Sequence, residues 1–290
     1  MRLTKMIGVL GVCLAMVGYI SASAPAGQAK PVLLYSRYFN AKGEKRYLPD
    51  GTYKDVLERL KERFDVRTSD EPLNADTLKN VSVVLIANPS DKAVGSNPPP
   101  HHGSEADAAD LAKFVQAGGG LIAMGNQENH NLEIVDFNRL LSEFGMKFES
   151  RYTDAKQLVI PERVPIIGGL RWAYYTGNQV VVQPEHPAKP RGLVMNDLSQ
   201  KPVGGPRDEP GILLAIAEPG KGHVVLVTDA GWISNDALSG KGIGPVAIKQ
   251  QDNFEIMQRL ALGRRGCTRR RASHSGRRLP RCCAAHTLMP

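Results

Sequence analysis

The chain is expected to fold as a three-layer α/β protein, with a mostly parallel, flavodoxin-like sheet and an antiparallel far edge. Three features point there. Apolar runs of strand type alternate with helical patterns through the first half, the signature of a sheet built by crossovers. Val81-Ser82-Val83-Val84-Leu85-Ile86-Ala87-Asn88 is almost entirely aliphatic, as befits a strand covered on both faces. Gly211–Ala217 and His223–Asp229 are joined only by the turn Pro219-Gly220-Lys221-Gly222, so those two strands must run antiparallel.

The two ends stand apart from this pattern. Met1 to Ala29 has a basic start (Arg2, Lys5), an apolar run from Met6 to Ile20 and small residues before Ala24 and Ala29, the organisation of a secretory signal peptide. The apolar run is shorter than the roughly 20 residues that a spanning helix needs, so no membrane span is expected after its removal. From Arg264 to Pro290 there are eight arginines, no acidic residue and no hydrophobic periodicity, and the stretch reads as a disordered or non-native basic tail. Residues 30–263 are therefore expected to form one α/β domain.

This division changes what the net charge of +8 means. Removing Arg2, Lys5 and the eight tail arginines leaves 27 basic residues against 29 acidic ones, a net charge of −2. Nothing in the domain's charge favours nucleic acid. The cysteines divide the same way, because Cys13 lies in the leader and Cys267, Cys282 and Cys283 lie in the tail. The domain has no disulfide, thiolate metal site or cysteine nucleophile available to it.

Taken in order, Pro31–Ser36 is a first strand. Tyr53, Val56, Leu57, Leu60 and Phe64 follow at helical spacing, with Thr52 placed to cap, and Phe64–Thr68 forms an edge strand. The Val81–Asn88 strand leads to a long loop, and Ser104 with Asp107 three residues on resembles a capping box. Ala108, Leu111, Ala112 and Val115 give that helix one apolar face, and Gly118-Gly119-Gly120 ends it. The strand Leu121–Met124 opens into the polar loop Gly125–His130. A second amphipathic helix runs through Leu132, Val135, Leu140, Leu141 and Phe144. The pattern weakens from Met146 to Gln200, where Trp172–Tyr175 and Gln179–Gln183 read as a hairpin turning at Thr176-Gly177-Asn178. A helix from about Gln250 to Leu262 closes the domain.

Several pieces together resemble one family. They are "DLAKFVQAGGGLIAMGN" (110–126), the His186-Pro187 to Leu193 element, "PGKGHVVLVTDAGWISND" (219–236) and the final "DNFEIMQRL" (252–260). Over most of residues 30–263 the chain looks like the class I glutamine-amidotransferase-like superfamily, near branches with trehalose-utilisation (ThuA-like) proteins and secreted domains of unassigned function. In catalytic members the strand after the glycine break delivers a cysteine at a sharp turn, and a distant histidine and acid complete a triad. The corresponding turn here is Met124-Gly125-Asn126, and no Gly-x-Ser-x-Gly elbow replaces the cysteine. The resemblance implies the fold and not the reaction.

Candidate site residues lie just past strand ends, where ligands gather in open α/β sheets. They are Asn88, Ser90 and Asp91; Asn126, Gln127, Glu128 and His130; and Asp229, Trp232, Asn235 and Asp236. One reading is a polar pocket for a small hydroxylated ligand, a sugar being the one the resemblance implies, with Trp232 as a stacking platform. The plainer reading makes the same residues turn formers and helix caps. His101, His102 and His130 with Asp91 or Glu128 lack the spacing that fixes metal ligands, so neither metal nor cofactor is expected. The expectation is thus an exported, non-catalytic binding or scaffold module that recognises a small polar ligand or a protein partner. The alternative is a hydrolase or sugar-modifying enzyme using Glu128/His130 and Asp229/Asp236 with water or a metal, His130 serving as general base.

Overall fold

A computed structural model describes residues 29–154, 157–195, 211–242 and 250–263. The predicted signal peptide, apart from its last residue, and the basic tail lie outside these. The main sheet has nine strands: β1 (Val32–Ser36), β2 (Asp65–Ser69), β3 (Val83–Ala87), β4 (Gly120–Gly125), β5 (Met146–Asp154), β8 (Thr176–Val182), β9 (Arg191–Met195), β10 (Ile212–Ala217) and β11 (His223–Thr228). Its order is β2-β1-β3-β4-β11-β10-β8-β5, with β9 also on β10. The pairs from β2 to β11 are parallel and those beyond β11 are antiparallel. This is the mixed α/β sheet expected from the alternation of periods.

Helices cover both faces because the central strands are apolar on both. Helices α1 (Lys54–Leu60) and α5 (Asn253–Leu262) pack on the face carrying Leu33, Tyr35, Ile122, Met124, Val225 and Val227. Helices α2 (Glu105–Gln116) and α3 (Val135–Ser142) pack on the face carrying Val84, Ile86, Leu121, Ala123 and Leu226. A short helix, α4 (Asn235–Leu238), follows β11. Among the described residues, no helix is long and apolar enough to cross a membrane.

Local chemistry explains where elements begin and end. Ser104 caps α2 by accepting from the Asp107 N–H while the Asp107 carboxylate accepts from the Ser104 N–H, the reciprocal pair anticipated from spacing. Gly118, at φ 121°, takes a conformation closed to other residues and turns the chain from α2 into β4. Gly222 packs so tightly that a Cβ there would meet the Val115 carbonyl oxygen at 2.0 Å, which fixes the β10–β11 turn against α2.

Four expectations are corrected. Thr52 does not cap α1: its hydroxyl accepts the Tyr47 N–H, and the N-cap position is Tyr53. α3 is shorter than the run from Leu132 to Phe144, spanning Val135–Ser142, and is entered through Glu133, whose carboxylate accepts the N–H groups of Val135, Asp136 and Phe137. Trp172 and Thr176–Asn178 do not form a hairpin: β7 (Arg171–Ala173) pairs with β6 (Gln157–Val159) in a separate small sheet, and Thr176 opens β8 in the main one. Met146–Asp154 and Arg191–Met195 are strands although neither is continuously apolar. β5 is the last strand of the sheet, where polar residues are tolerated.

Candidate functional site

The parallel register brings three strand ends to one edge. Ala87 lies beside Met124, and Gly125 beside Thr228, so Asn88, Asn126 and Asp229 leave β3, β4 and β11 side by side. Asn88 and Asp229 have positive φ, 47° and 59°, which asparagine and aspartate tolerate better than most residues. That backbone turns each side chain back over the strand tips.

The three then bond to one another and to their surroundings. The Asn88 side-chain oxygen accepts the Asn126 N–H at 2.9 Å, and its amide nitrogen donates to the His130 carbonyl at 3.1 Å. The Asn126 amide nitrogen donates to Tyr47 Oη at 2.7 Å and to Asp229 Oδ1 at 3.2 Å. Asp229 also accepts from the Gly231 N–H at 2.7 Å and from the Tyr175 N–H at 3.1 Å. Gln127 donates to the Thr176 hydroxyl at 2.8 Å, and the Ser90 hydroxyl accepts the Ala41 N–H at 2.9 Å. Asn88, Ser90, Asn126, Gln127 and Asp229 are all 5 % exposed or less. The strand-end rim at these residues is a closed polar layer, bonded largely to itself.

The remaining candidates are not part of that layer. Trp232 is fully buried in the apolar core, edge-on to Trp172 with ring centroids 5.7 Å apart, so it is no stacking platform for a ligand. Asn235 ties α4 to the segment before α1, accepting the Asp55 N–H and donating to the Gly51 carbonyl. Asp91 and Asp236 are exposed and pair with Lys92 and Lys241. The Glu128 side chain lies outside the described ones.

The histidines also disperse. His101 stacks flat on Tyr38 at 4.4 Å, and His102 bonds to Asp136 at 3.0 Å. His102, Glu133 and Asp136 bring ligand-type atoms within 4.8 Å of one another, a grouping the sequence spacing did not disclose. Glu133, however, already spends its carboxylate on three N–H groups of α3, and Asp136 also pairs with Arg139.

Among the described histidines, His130 is the one that bonds to the strand-tip layer. Its Nδ1 lies 3.2 Å from Tyr47 Oη, so the path from Asp229 to His130 runs through Asn126 and Tyr47. Tyr47 was not anticipated, because it lies in a polar loop. The only hint was an aromatic residue among charged neighbours. Burial and the nearby Asp229 charge raise the Tyr47 pKa, which keeps the phenol protonated. Burial first, and the Arg46 charge second, lower the His130 pKa below its usual 6.5. The unfolded chain therefore binds more protons near and below that value, and stability attributable to His130 is present above it and lost as pH falls. Denaturation midpoints of the wild type are expected to drop on acidification below about 6.5, more steeply than those of His130→Gln. Parallel curves for the two proteins would contradict this.

No family model matches the chain, and no curated protein matches it in sequence. Among solved structures, the mmIFT52 N-terminal domain gives a TM-score of 0.57 at 16% identity, over 80% of this chain and 98% of that domain. A protein from Bacteroides uniformis described as ThuA-like gives 0.45 at 13% identity, over 83% of this chain and 93% of that one. Cytoplasmic protein STM3548 from Salmonella typhimurium gives 0.47 at 11% identity, over 79% and 97%. At these identities the likeness is one of fold, and what the chain shares with the mmIFT52 N-terminal domain is its α/β architecture.

Proposed function

We propose that this chain is an exported, non-catalytic scaffold module on an amidotransferase-like fold, working through a protein partner and not through turnover at its strand tips. The observation that carries this reading is Asn126. It lies in the Met124-Gly125-Asn126 turn, which corresponds to the turn where the resembling family carries its nucleophile; it is 2 % exposed and has its amide nitrogen committed to Tyr47 and Asp229. An amide is no nucleophile, and a side chain so enclosed meets no substrate.

The burial of Asn88, Gln127 and Asp229 beside it weighs against a small polar ligand resting on the same rim. The hydrolase alternative is disfavoured by the remaining pair as well: Asp236 is exposed on α4, while Asp229 reaches His130 only through two intervening side chains. The leader's basic, apolar and small-residue order supports export, which N-terminal sequencing of the secreted chain tests through cleavage after Ala24 or Ala29.

The test of the central reading is a panel of chromogenic ester, amide and glycoside substrates, offered to the full domain and to Asp229→Asn. The expected outcome is no turnover by either, with Asp229→Asn melting lower. Turnover by the wild type that disappears in a more stable Asp229→Asn would establish an enzyme instead, since active-site groups are commonly held at a cost to stability.

A further inference from the structure

The loop between β3 and α2 is set down on α3 with little freedom at its end. A Cβ at Gly103 would meet Leu140 Cγ at 2.9 Å and the Asp136 carbonyl oxygen at 3.0 Å, so glycine is what lets the backbone come this close. The Gly103 carbonyl also accepts from the Arg139 guanidinium at 2.6 Å. On the other side of His102, the His101 ring stacks on Tyr38. His102 is thus held between two anchored neighbours, with its Nδ1 3.0 Å from Asp136 Oδ2.

His102, Glu133 and Asp136 each bring a ligand-type atom within 4.8 Å of the other two. The bonds these carboxylates already make fix where their remaining lone pairs lie. Glu133 is buried; its Oε1 accepts from the Val135 and Asp136 N–H groups, its Oε2 from that of Phe137. A carboxylate has about four acceptor positions, so one is left on Oε2. Arg139 takes Asp136 Oδ1 and leaves Oδ2 to His102. Outer hydrogen bonds of this sort are what orient metal ligands. Charge points the same way. Glu105, Glu133 and Asp136 are acidic, and among the described residues Arg139 is the one arginine or lysine paired with them. The two negative charges that remain match a divalent ion.

We propose that His102, Glu133 and Asp136 hold a divalent metal ion of the zinc class through one imidazole Nδ1 and two carboxylate oxygens, with water completing the shell. Imidazole with carboxylates is a donor set for zinc and similar ions, whereas magnesium takes oxygen ligands and keeps its waters. Zinc lies about 2.0–2.2 Å from nitrogen and oxygen ligands, so atoms spread over 4.8 Å must draw in slightly, and the exposed His102 ring is free to do so. On binding, Nδ1 exchanges its contact with Asp136 for the metal, and any proton it carries leaves to solvent. The ion fastens the loop between β3 and α2 to the first turn of α3. The site goes beyond the scaffold reading and shares no residue with the strand-tip layer.

The experiment is nitrogen NMR of the full chain labelled at histidine, its cysteines alkylated so that tail thiols bind no metal, titrated with zinc chloride and separately with magnesium chloride. The His102 signals are those lost in His102→Gln. The expected result is that the His102 Nδ1 resonance moves saturably with micromolar zinc and stays in place with magnesium. Asp136→Asn is expected to weaken zinc binding at His102 by more than about tenfold. Zinc is also expected to raise the melting temperature of the wild type, and His102→Gln, a change at an exposed side chain, to lose that rise. If Asp136→Asn fails to fold, the melting comparison decides alone. Movement only at millimolar zinc, coordination through Nε2, equal movement with magnesium, affinity unchanged in Asp136→Asn, or the same zinc-induced rise in His102→Gln would each overturn the proposal.

Discussion

Asp229→Ala is expected to destabilise the domain by about 4 kcal/mol, a loss of roughly 10 °C or more in melting temperature for a chain of this size. Three donors lose their acceptor at once: the N–H groups of Gly231 and Tyr175 and the Asn126 side-chain amide. Each buried donor left unmatched costs on the order of 1–3 kcal/mol, part of which is offset because a charge no longer has to be buried. Alanine also tolerates φ 59° less well than aspartate, which adds about 1 kcal/mol. Asp229→Asn retains the size, the positive φ and one acceptor oxygen, so roughly half the loss is expected. Chemical denaturation of the three proteins checks the order. Equal stabilities would mean that the carboxylate holds nothing together.

Trp232→Ala is expected to cost about 3–5 kcal/mol, the usual penalty for emptying a large aromatic site in a packed core. The indole is fully buried, faces Trp172 edge-on at 5.7 Å, and belongs to the same apolar cluster as Met124, Val225 and Val227. The backbone at Trp232 is also held, because its carbonyl accepts from the Asn253 side chain of α5. A tryptophan serving as a ligand platform would behave differently, with little change in melting and a loss of binding. Thermal unfolding of Trp232→Ala separates the two roles. A shift of only a degree or two would return Trp232 to the surface role expected from its sequence position.

The parallel half of the fold was readable because its strands are continuous aliphatic runs, and because glycines and a capping box mark where helices stop and start. β5 and β9 were not: Met146–Asp154 alternates apolar and charged residues only over Met146–Glu149 before turning polar, and Arg191–Met195 is a five-residue strand with a single charged residue and a glycine at its start. Thr176-Gly177-Asn178 has turn chemistry, yet Gly177 lies within β8 where a Cβ would meet the Asp229 N–H at 2.6 Å. There the glycine serves close approach, which composition alone does not separate from a turn.

The candidate site was legible as a set of strand ends and illegible as an environment. Register fixed that Asn88, Asn126 and Asp229 are neighbours, whereas whether they face solvent depends on Tyr47, Tyr175 and Thr176, which arrive from distant segments. The same holds for His102, whose partners Glu133 and Asp136 come from the start of α3. Long-range bonds of this kind leave no periodic trace in a sequence.

The claim that the strand tips form one bonded layer is tested most directly by a double-mutant cycle between Asn126→Ala and Asp229→Asn, read by denaturant unfolding. Residues in a single hydrogen-bond network couple by about 0.5–3 kcal/mol, so the double variant is expected to lose clearly less than the sum of the single ones. Losses that add to within about 0.5 kcal/mol would mean that the two side chains act separately, and the closed layer described here would not exist.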